Sequence, residues 1–76
     1  MNWQEYIHVD SNILAGKPVI KGTRLSVDFV LRLLATGWTG EQILANYPRL
    51  TPETLQACFS FAADCLAEES FYAIPA

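Results

Sequence analysis

The sequence of this 76-residue chain predicts a mainly α-helical domain, in which a helix-turn-helix follows a short N-terminal β element. The N-terminal quarter places glycine, proline and lysine around short β-branched segments, whereas apolar residues recur at helical spacing from Ser26 onward. A capping box and a Thr-Pro-Glu start then place two helices in succession, with a three-residue turn between them. A chain this short forms one domain, which we divide into residues 1–25 (β element), 26–69 (three-helix region) and 70–76 (C-terminal tail).

The β element is predicted from two short extended segments and a turn. Residues 6–10 are β-branched and aromatic, which is typical of a strand, and a second extended piece spans residues 18–20. Gly22 reverses the chain because glycine readily adopts a positive φ. Arg24 and Leu25 are therefore expected to pair back as a small hairpin.

The first helix is predicted from Ser26 to near Gly37. Ser26 supplies an N-cap, and Asp28 places negative charge in the first turn, where the helix dipole favours it. Phe29 and Leu33 form a second apolar stripe, which predicts that the helix is covered on more than one side. The main apolar stripe consists of Val27, Val30, Leu31 and Leu34.

The second helix is predicted over residues 39–47. Thr39 and Gln42 have the spacing of a capping box, in which each residue bonds the backbone of the other. Pro48 ends the helix because it cannot donate a backbone hydrogen bond. The residues expected to face inward are Ile43, Leu44 and Tyr47.

The third helix is predicted over residues 51–69. Thr51 is expected as N-cap, Pro52 as the first helical residue and Glu53 as an acid in the first turn. The predicted inner face consists of Leu55, Cys58, Phe59, Ala62, Cys65 and Leu66. The predicted outer face consists of Glu53, Gln56, Ser60, Asp64 and Glu68.

A helix-turn-helix can lay its second helix in the major groove of DNA, so nucleic-acid binding is one function that the pattern raises. The candidate contacts are Lys17, Lys21, Arg24, Arg49 and Gln56. Gln56 could pair with adenine, Glu53 could accept a hydrogen bond from cytosine, and Arg49 could hold a phosphate. Against this, the net charge is -3, and the outer face of the third helix carries no cation. A small helical bundle that does not bind DNA would pack its helices in the same geometry. DNA binding would need a dimer that places Lys17, Lys21, Arg24 or Arg32 on the phosphate backbone of the DNA.

Residues 16–23, with the sequence GKPVIKGT, resemble a phosphate-binding P-loop but depart from it in two ways. A P-loop lysine follows the second glycine, whereas Lys21 precedes Gly22. Pro18 also removes one of the backbone amides that would wrap a phosphate. We therefore interpret the stretch as a structural turn and predict no bound cofactor.

The remaining reactive side chains predict neither a metal site nor an enzyme. His8 is the single histidine, and Cys58 and Cys65 face the predicted core. The two thiols would lie about 10 Å apart along one helix, too far for a disulfide, and neither has a base nearby. The sequence has no leader and no uninterrupted apolar span, which predicts a cytoplasmic protein.

The apolar content predicts contact with other chains. Hydrophobic residues make up 51% of a chain that buries only about 60% of its unfolded surface, so we expect a homodimer. Phe71, Tyr72 and Ile74 follow the last helix. They could pack across the domain's own core or dock in a partner's groove, and the sequence favours neither.

The run from Gly16 to Ala57 resembles the small prokaryotic proteins known as domain of unknown function family 433. The motif residues that match are Gly16, Lys17, Pro18, Gly22, Thr23, Arg24, Tyr47, Pro48, Leu50 and Thr51. The resemblance implies a winged-helix or homeodomain-like domain similar to antitoxins of the VapB type. Such proteins are thought to neutralise a PIN-like ribonuclease and to repress their shared promoter.

On this resemblance we expect a non-enzymatic, antitoxin-like protein that neutralises a PIN-like ribonuclease toxin. Phe71, Tyr72 and Ile74 in the tail are the residues expected to contact that partner. The alternative is a stand-alone helix-turn-helix regulator of transcription that binds promoter DNA.

Overall fold

Three α-helices and a two-stranded antiparallel sheet form the described part of the chain, which confirms the predicted mainly α-helical class. The structure is a computed structural model and describes residues 1–10, 12 and 16–68. A short 3-10 turn, Trp3–Glu5, leads into the sheet. The elements are β1 (Ile7–His8), β2 (Val19–Ile20), α1 (Val27–Ala35), α2 (Gly40–Asn46) and α3 (Pro52–Glu68).

The first strand is shorter than the sequence predicts, covering Ile7–His8 rather than residues 6–10. Tyr6 belongs to the preceding 3-10 turn, since its N–H bonds the carbonyl of Trp3 at 2.9 Å. In the antiparallel register Ile7 lies opposite Ile20, and His8 lies opposite Val19. Both isoleucines are buried, so one face of this small sheet lies against the helices.

The predicted hairpin return is confirmed by backbone pairing on the other side of β2. The N–H of Ile20 bonds the carbonyl of Leu25 at 2.9 Å, and the N–H of Val27 bonds the carbonyl of Pro18 at 3.0 Å. Gly22 takes the predicted positive φ, at 80°. These hydrogen bonds therefore join β2 to the segment that leads into α1.

The predicted caps of α1 and α2 are both present. Ser26 Oγ accepts a hydrogen bond from the N–H of Phe29 at 2.9 Å. The capping box between Thr39 and Gln42 has both of its hydrogen bonds, at 2.8 and 3.1 Å. Ile43, predicted to face inward, is fully buried.

The predicted inner face of α3 is partly wrong. Leu55 and Cys58 are buried as expected, but Phe59 is 54% exposed and Leu66 is 57% exposed. The buried side is rotated toward Thr54, Ala57 and Phe61. The helix is apolar over much of its circumference, so periodicity alone did not identify the side that packs.

Trp3 helps to set this rotation by contacting α3 from the N-terminal side. Its indole N–H donates to Asp64 Oδ2 at 2.8 Å, and its ring meets Phe61 edge to face with centroids 4.7 Å apart. Phe61 is thus drawn toward the core, whereas Phe59 and Leu66 remain at the surface. The exposed positions predicted for Glu53, Gln56 and Asp64 are confirmed, and the side chain of Glu68 lies outside the described residues.

The core lies where the sheet and the three helices meet. Residues from every helix and from both strands contribute, and the small side chain of Ala57 lets the other elements approach α3 closely. The buried cluster consists of Ile7, Ile20, Val27, Val30, Ile43, Leu50, Leu55, Ala57 and Cys58.

Candidate functional site

Two segments far apart in sequence, the turn between β2 and α1 and the junction between α2 and α3, lie side by side. The guanidinium of Arg49 donates from Nη1 to the carbonyl oxygen of Gly22 at 3.2 Å. Thr23 organises the turn, because its hydroxyl donates to the carbonyl of Ile20 at 2.8 Å and accepts from the N–H of Leu25 at 3.0 Å. These bonds fix the position of the turn against the helical junction.

The two segments enclose an open groove of about 380 Å³, which we call the junction groove. Leu25, Tyr47 and Pro48 supply apolar surface, and Arg24 and Arg49 supply positive charge. The described residues that line it are Thr23, Arg24, Leu25, Asn46, Tyr47, Pro48 and Arg49. The fold therefore gathers the two motif segments of the sequence into one concave site.

The structure brings some of the candidate nucleic-acid contacts together and leaves others apart. Arg24 and Arg49 line the junction groove, and Lys21 lies exposed on the same turn. Lys17 instead lies 3.9 Å from the carboxylate of Asp28 on α1. Gln56 is exposed on α3 and does not line the groove.

Asp28 lies between two of the cations that were expected to serve the DNA backbone. Besides Lys17, it accepts hydrogen bonds from Nε of Arg32 at 3.1 Å, one turn along α1. This exposed cluster compensates the charge of Lys17 and Arg32 locally, although pairs of this kind contribute little to stability. In the described residues, the side-chain cations without a carboxylate partner are Lys21, Arg24 and Arg49, the last of which bonds the carbonyl of Gly22.

A second concave surface lies between α1 and α3 and was not anticipated from the sequence. This α1–α3 groove measures about 340 Å³. It is lined by Pro18, Val27, Asp28, Leu31, Phe61, Ala62, Cys65 and Leu66. The sequence did not predict this groove, because Leu66 was expected to lie in the core.

An exposed apolar stripe on α3 continues from this groove. Phe59, Ala63 and Leu66 follow one another at helical spacing and are all exposed. We call the stripe and the α1–α3 groove together the α3 apolar surface. The tail residues Phe71, Tyr72 and Ile74, which follow α3 in the chain, lie outside the described residues.

The cysteines of the described residues differ in burial, Cys58 being buried and Cys65 half-buried. Neither cysteine is in a disulfide, and burial raises the pKa of the Cys58 thiol to about 11, so it is neutral at pH 7. His8 is exposed on β1. Residues 1–10, 12 and 16–68 contain no cluster of three or more His, Cys, Asp or Glu that could hold a metal ion. None of the described helices is both long and apolar enough to cross a membrane.

Comparison with known proteins identifies relatives by sequence and by structure. A family model described as protein of unknown function (DUF433) matches residues 7–62, which include every residue that lines the junction groove. The chain is also similar to the crystal structure of a DUF433 member protein from Anabaena variabilis ATCC 29413, with a TM-score of 0.76 and 30% sequence identity. That similarity covers 80% of this chain and 60% of the other, so the chain spans less than two thirds of that protein. No curated protein matches the sequence.

Proposed function

The chain belongs to the family of proteins of unknown function called DUF433, and from this premise we propose that it is an antitoxin-like protein. In this proposal it is a non-enzymatic, cytoplasmic protein that binds a PIN-like ribonuclease and holds it inactive. The class of partner is the one that the family resemblance implies. The binding role is supported by a feature of this chain's own surface.

That feature is the α3 apolar surface. Phe59 and Leu66 are each more than half exposed, on the same side of one helix and next to an apolar groove. Soluble proteins seldom leave adjoining apolar areas open unless another molecule covers them. Aromatic side chains such as that of Phe59 are also enriched at the centres of protein-protein interfaces.

The position of this surface also supports a role for the tail. Leu66 lies two residues before the end of α3, and the chain continues from there toward Phe71, Tyr72 and Ile74. A partner that covers Leu66 would be within reach of these three side chains. We propose that they extend the same contact.

Co-expression with the product of the neighbouring reading frame tests the proposal. We expect the two proteins to co-purify and the toxicity of the neighbour to be suppressed. The double variant Phe59→Ser/Leu66→Ser should weaken both effects while keeping the helical circular dichroism of the parent. Val9→Ser is the matched control, because Val9 is 58% exposed but follows β1 and does not line the α1–α3 groove. Co-purification that survives the double variant would rule out this surface, and no co-purification of the parent would rule out the antitoxin role.

We propose as well that the protein is a homodimer. A 76-residue chain buries only about 60% of its unfolded surface by itself, and a second copy would cover apolar surface that a single copy leaves exposed. Light scattering should give about twice the chain mass of 8.5 kDa at micromolar concentration. A mass that stays at the monomer value would refute the dimer without bearing on the ribonuclease.

DNA binding is the second candidate, and the arrangement of α2, the junction and α3 favours it. Lys21 and Arg24 lie on the turn that packs beside the junction, next to Arg49. A gel shift with the protein's own promoter at two salt concentrations tests this, because phosphate contacts must weaken as salt rises. Lys21→Glu should then abolish the shift, and a lack of binding at low salt would eliminate this function.

A further inference from the structure

We propose that the junction groove docks an extended peptide segment of a protein partner, one that carries a carboxylate beside an apolar side chain. The proposal assigns a site separate from the α3 apolar surface. It goes beyond the antitoxin role, because it does not depend on the partner being a ribonuclease.

The positive charge of the junction groove favours an anionic ligand. Arg24 and Arg49 line the groove, none of its described lining residues is acidic, and Lys21 adds a third cation on the same turn. The chain as a whole carries a net charge of -3, so this site is opposite in sign to the rest of the molecule. An anionic group is therefore attracted to this site in particular.

Arg49 is held in a position that suits a carboxylate. Its bond to the carbonyl of Gly22 uses one of the five N–H donors of the guanidinium, which leaves donors for a two-point contact with a carboxylate. Since that bond already orders the side chain, less rotational freedom is lost when a ligand binds. Arg24 makes no hydrogen bond or ion pair within the described residues, so it is available to the same ligand.

The apolar surface of the groove distinguishes a peptide from duplex DNA. Leu25, Tyr47 and Pro48 line the groove together with the two arginines, and its volume of about 380 Å³ falls within the range of pockets that bind small ligands. Phosphates gain nothing from a recessed apolar surface, whereas the side chain next to a carboxylate in a peptide does.

Titration of the full ¹⁵N-labelled chain with a peptide, followed by NMR, tests whether the junction groove binds it. The probe is an acetylated hexapeptide alternating leucine and glutamate, and its glutamine counterpart is the uncharged control. We expect chemical-shift changes confined to residues 23–25 and 46–49 with the glutamate peptide, and weaker changes with the glutamine peptide. A peptide that shifts other residues instead, or equal binding of the two peptides, would overturn the proposal.

Arginine variants make the test specific to the groove. Arg24→Gln and Arg49→Gln should each weaken the peptide roughly tenfold, the loss expected for one charged hydrogen bond. Arg32→Gln is the matched control, because Arg32 is an exposed arginine that pairs with Asp28 outside the groove. Arg24 makes no hydrogen bond or ion pair with the part of the chain that the structure describes, so its variant remains informative if Arg49→Gln destabilises the fold. Unchanged binding in Arg24→Gln would refute the proposal, as would a short DNA duplex that shifts these residues more strongly than the peptide.

Discussion

Arg49 and Gly22 are joined by a hydrogen bond of 3.2 Å across 27 residues of sequence. The bond links the junction between α2 and α3 to the turn that precedes α1. Gly22 holds a φ of 80°, which L side chains rarely adopt, and this conformation forms the turn that Arg49 contacts. Both the position of the turn and the width of the junction groove therefore depend on this pair.

Arg49→Ala should lower the free energy of unfolding by about 0.5 to 1 kcal/mol, since an exposed hydrogen bond is worth little more than this. Urea denaturation measures the change. Arg24→Ala is the control, because Arg24 is exposed and makes no bond within the described residues, and it should change stability by less than about 0.5 kcal/mol. Equal losses in the two variants would mean that the contact with Gly22 does not stabilise the fold.

Thr54 caps α3 together with Thr51, and its loss should destabilise the helix start. Its hydroxyl accepts from the N–H of Thr51 at 2.9 Å and donates to the carbonyl of Thr51 at 2.7 Å, in a side chain that is buried. Thr54→Val keeps the shape but leaves the N–H of Thr51 without that partner, whereas the carbonyl of Thr51 keeps its bonds from the N–H groups of Thr54 and Leu55. We therefore expect a loss of about 1 to 2 kcal/mol. Thr54→Ser retains the hydroxyl and should lose clearly less in thermal unfolding. A valine variant as stable as the parent would contradict this role.

The contact of Trp3 with α3 separates into a polar and an aromatic part. Trp3→Phe removes the bond to Asp64 but keeps a ring against Phe61, and we expect it to cost about 0.5 to 1.5 kcal/mol. Phe61→Ala removes the ring contact and leaves a cavity, so its cost should be larger, about 3 kcal/mol. Both are measured by urea denaturation followed by circular dichroism. The reverse ranking would mean that the bond to Asp64, rather than ring packing, holds the N-terminal turn in place.

Cys58 should make stability depend on alkaline pH. Burial raises its pKa from 9.0 to about 11, so its contribution is fully present below pH 9 and is lost as pH rises through 11. The loss between these values approaches about 2 to 3 kcal/mol. Urea unfolding of the parent and of Cys58→Ala at pH 8, 9.5 and 10.5 measures it, because all other titrating groups are shared. The stability advantage of the parent should shrink as pH rises, and an advantage that stays constant with pH would contradict the prediction.

The sequence by itself determined the helices and their starting points. Ser26, Thr39 and Thr51 cap the three helices because each hydroxyl oxygen accepts a hydrogen bond from the backbone N–H three residues later, in the first turn of its helix. The positive φ of Gly22 and the hairpin return to Leu25 were predictable for the same reason, since both depend on residues a few positions apart. Interactions of such short range are encoded in a window of sequence and need no knowledge of the rest of the fold.

The tertiary structure decided which side of α3 is buried and which distant segments meet. Phe59 and Leu66 have the same helical spacing as core residues, but Trp3 and the other elements contact α3 on the side of Phe61 and Ala57, so these two remain exposed. Likewise, the sequence contained both arginines of the junction groove but not their proximity, which depends on how α1, α2 and the sheet pack. Because α3 is apolar over much of its circumference, the side that packs is determined by the shapes of its neighbours, and those shapes exist only in the folded chain.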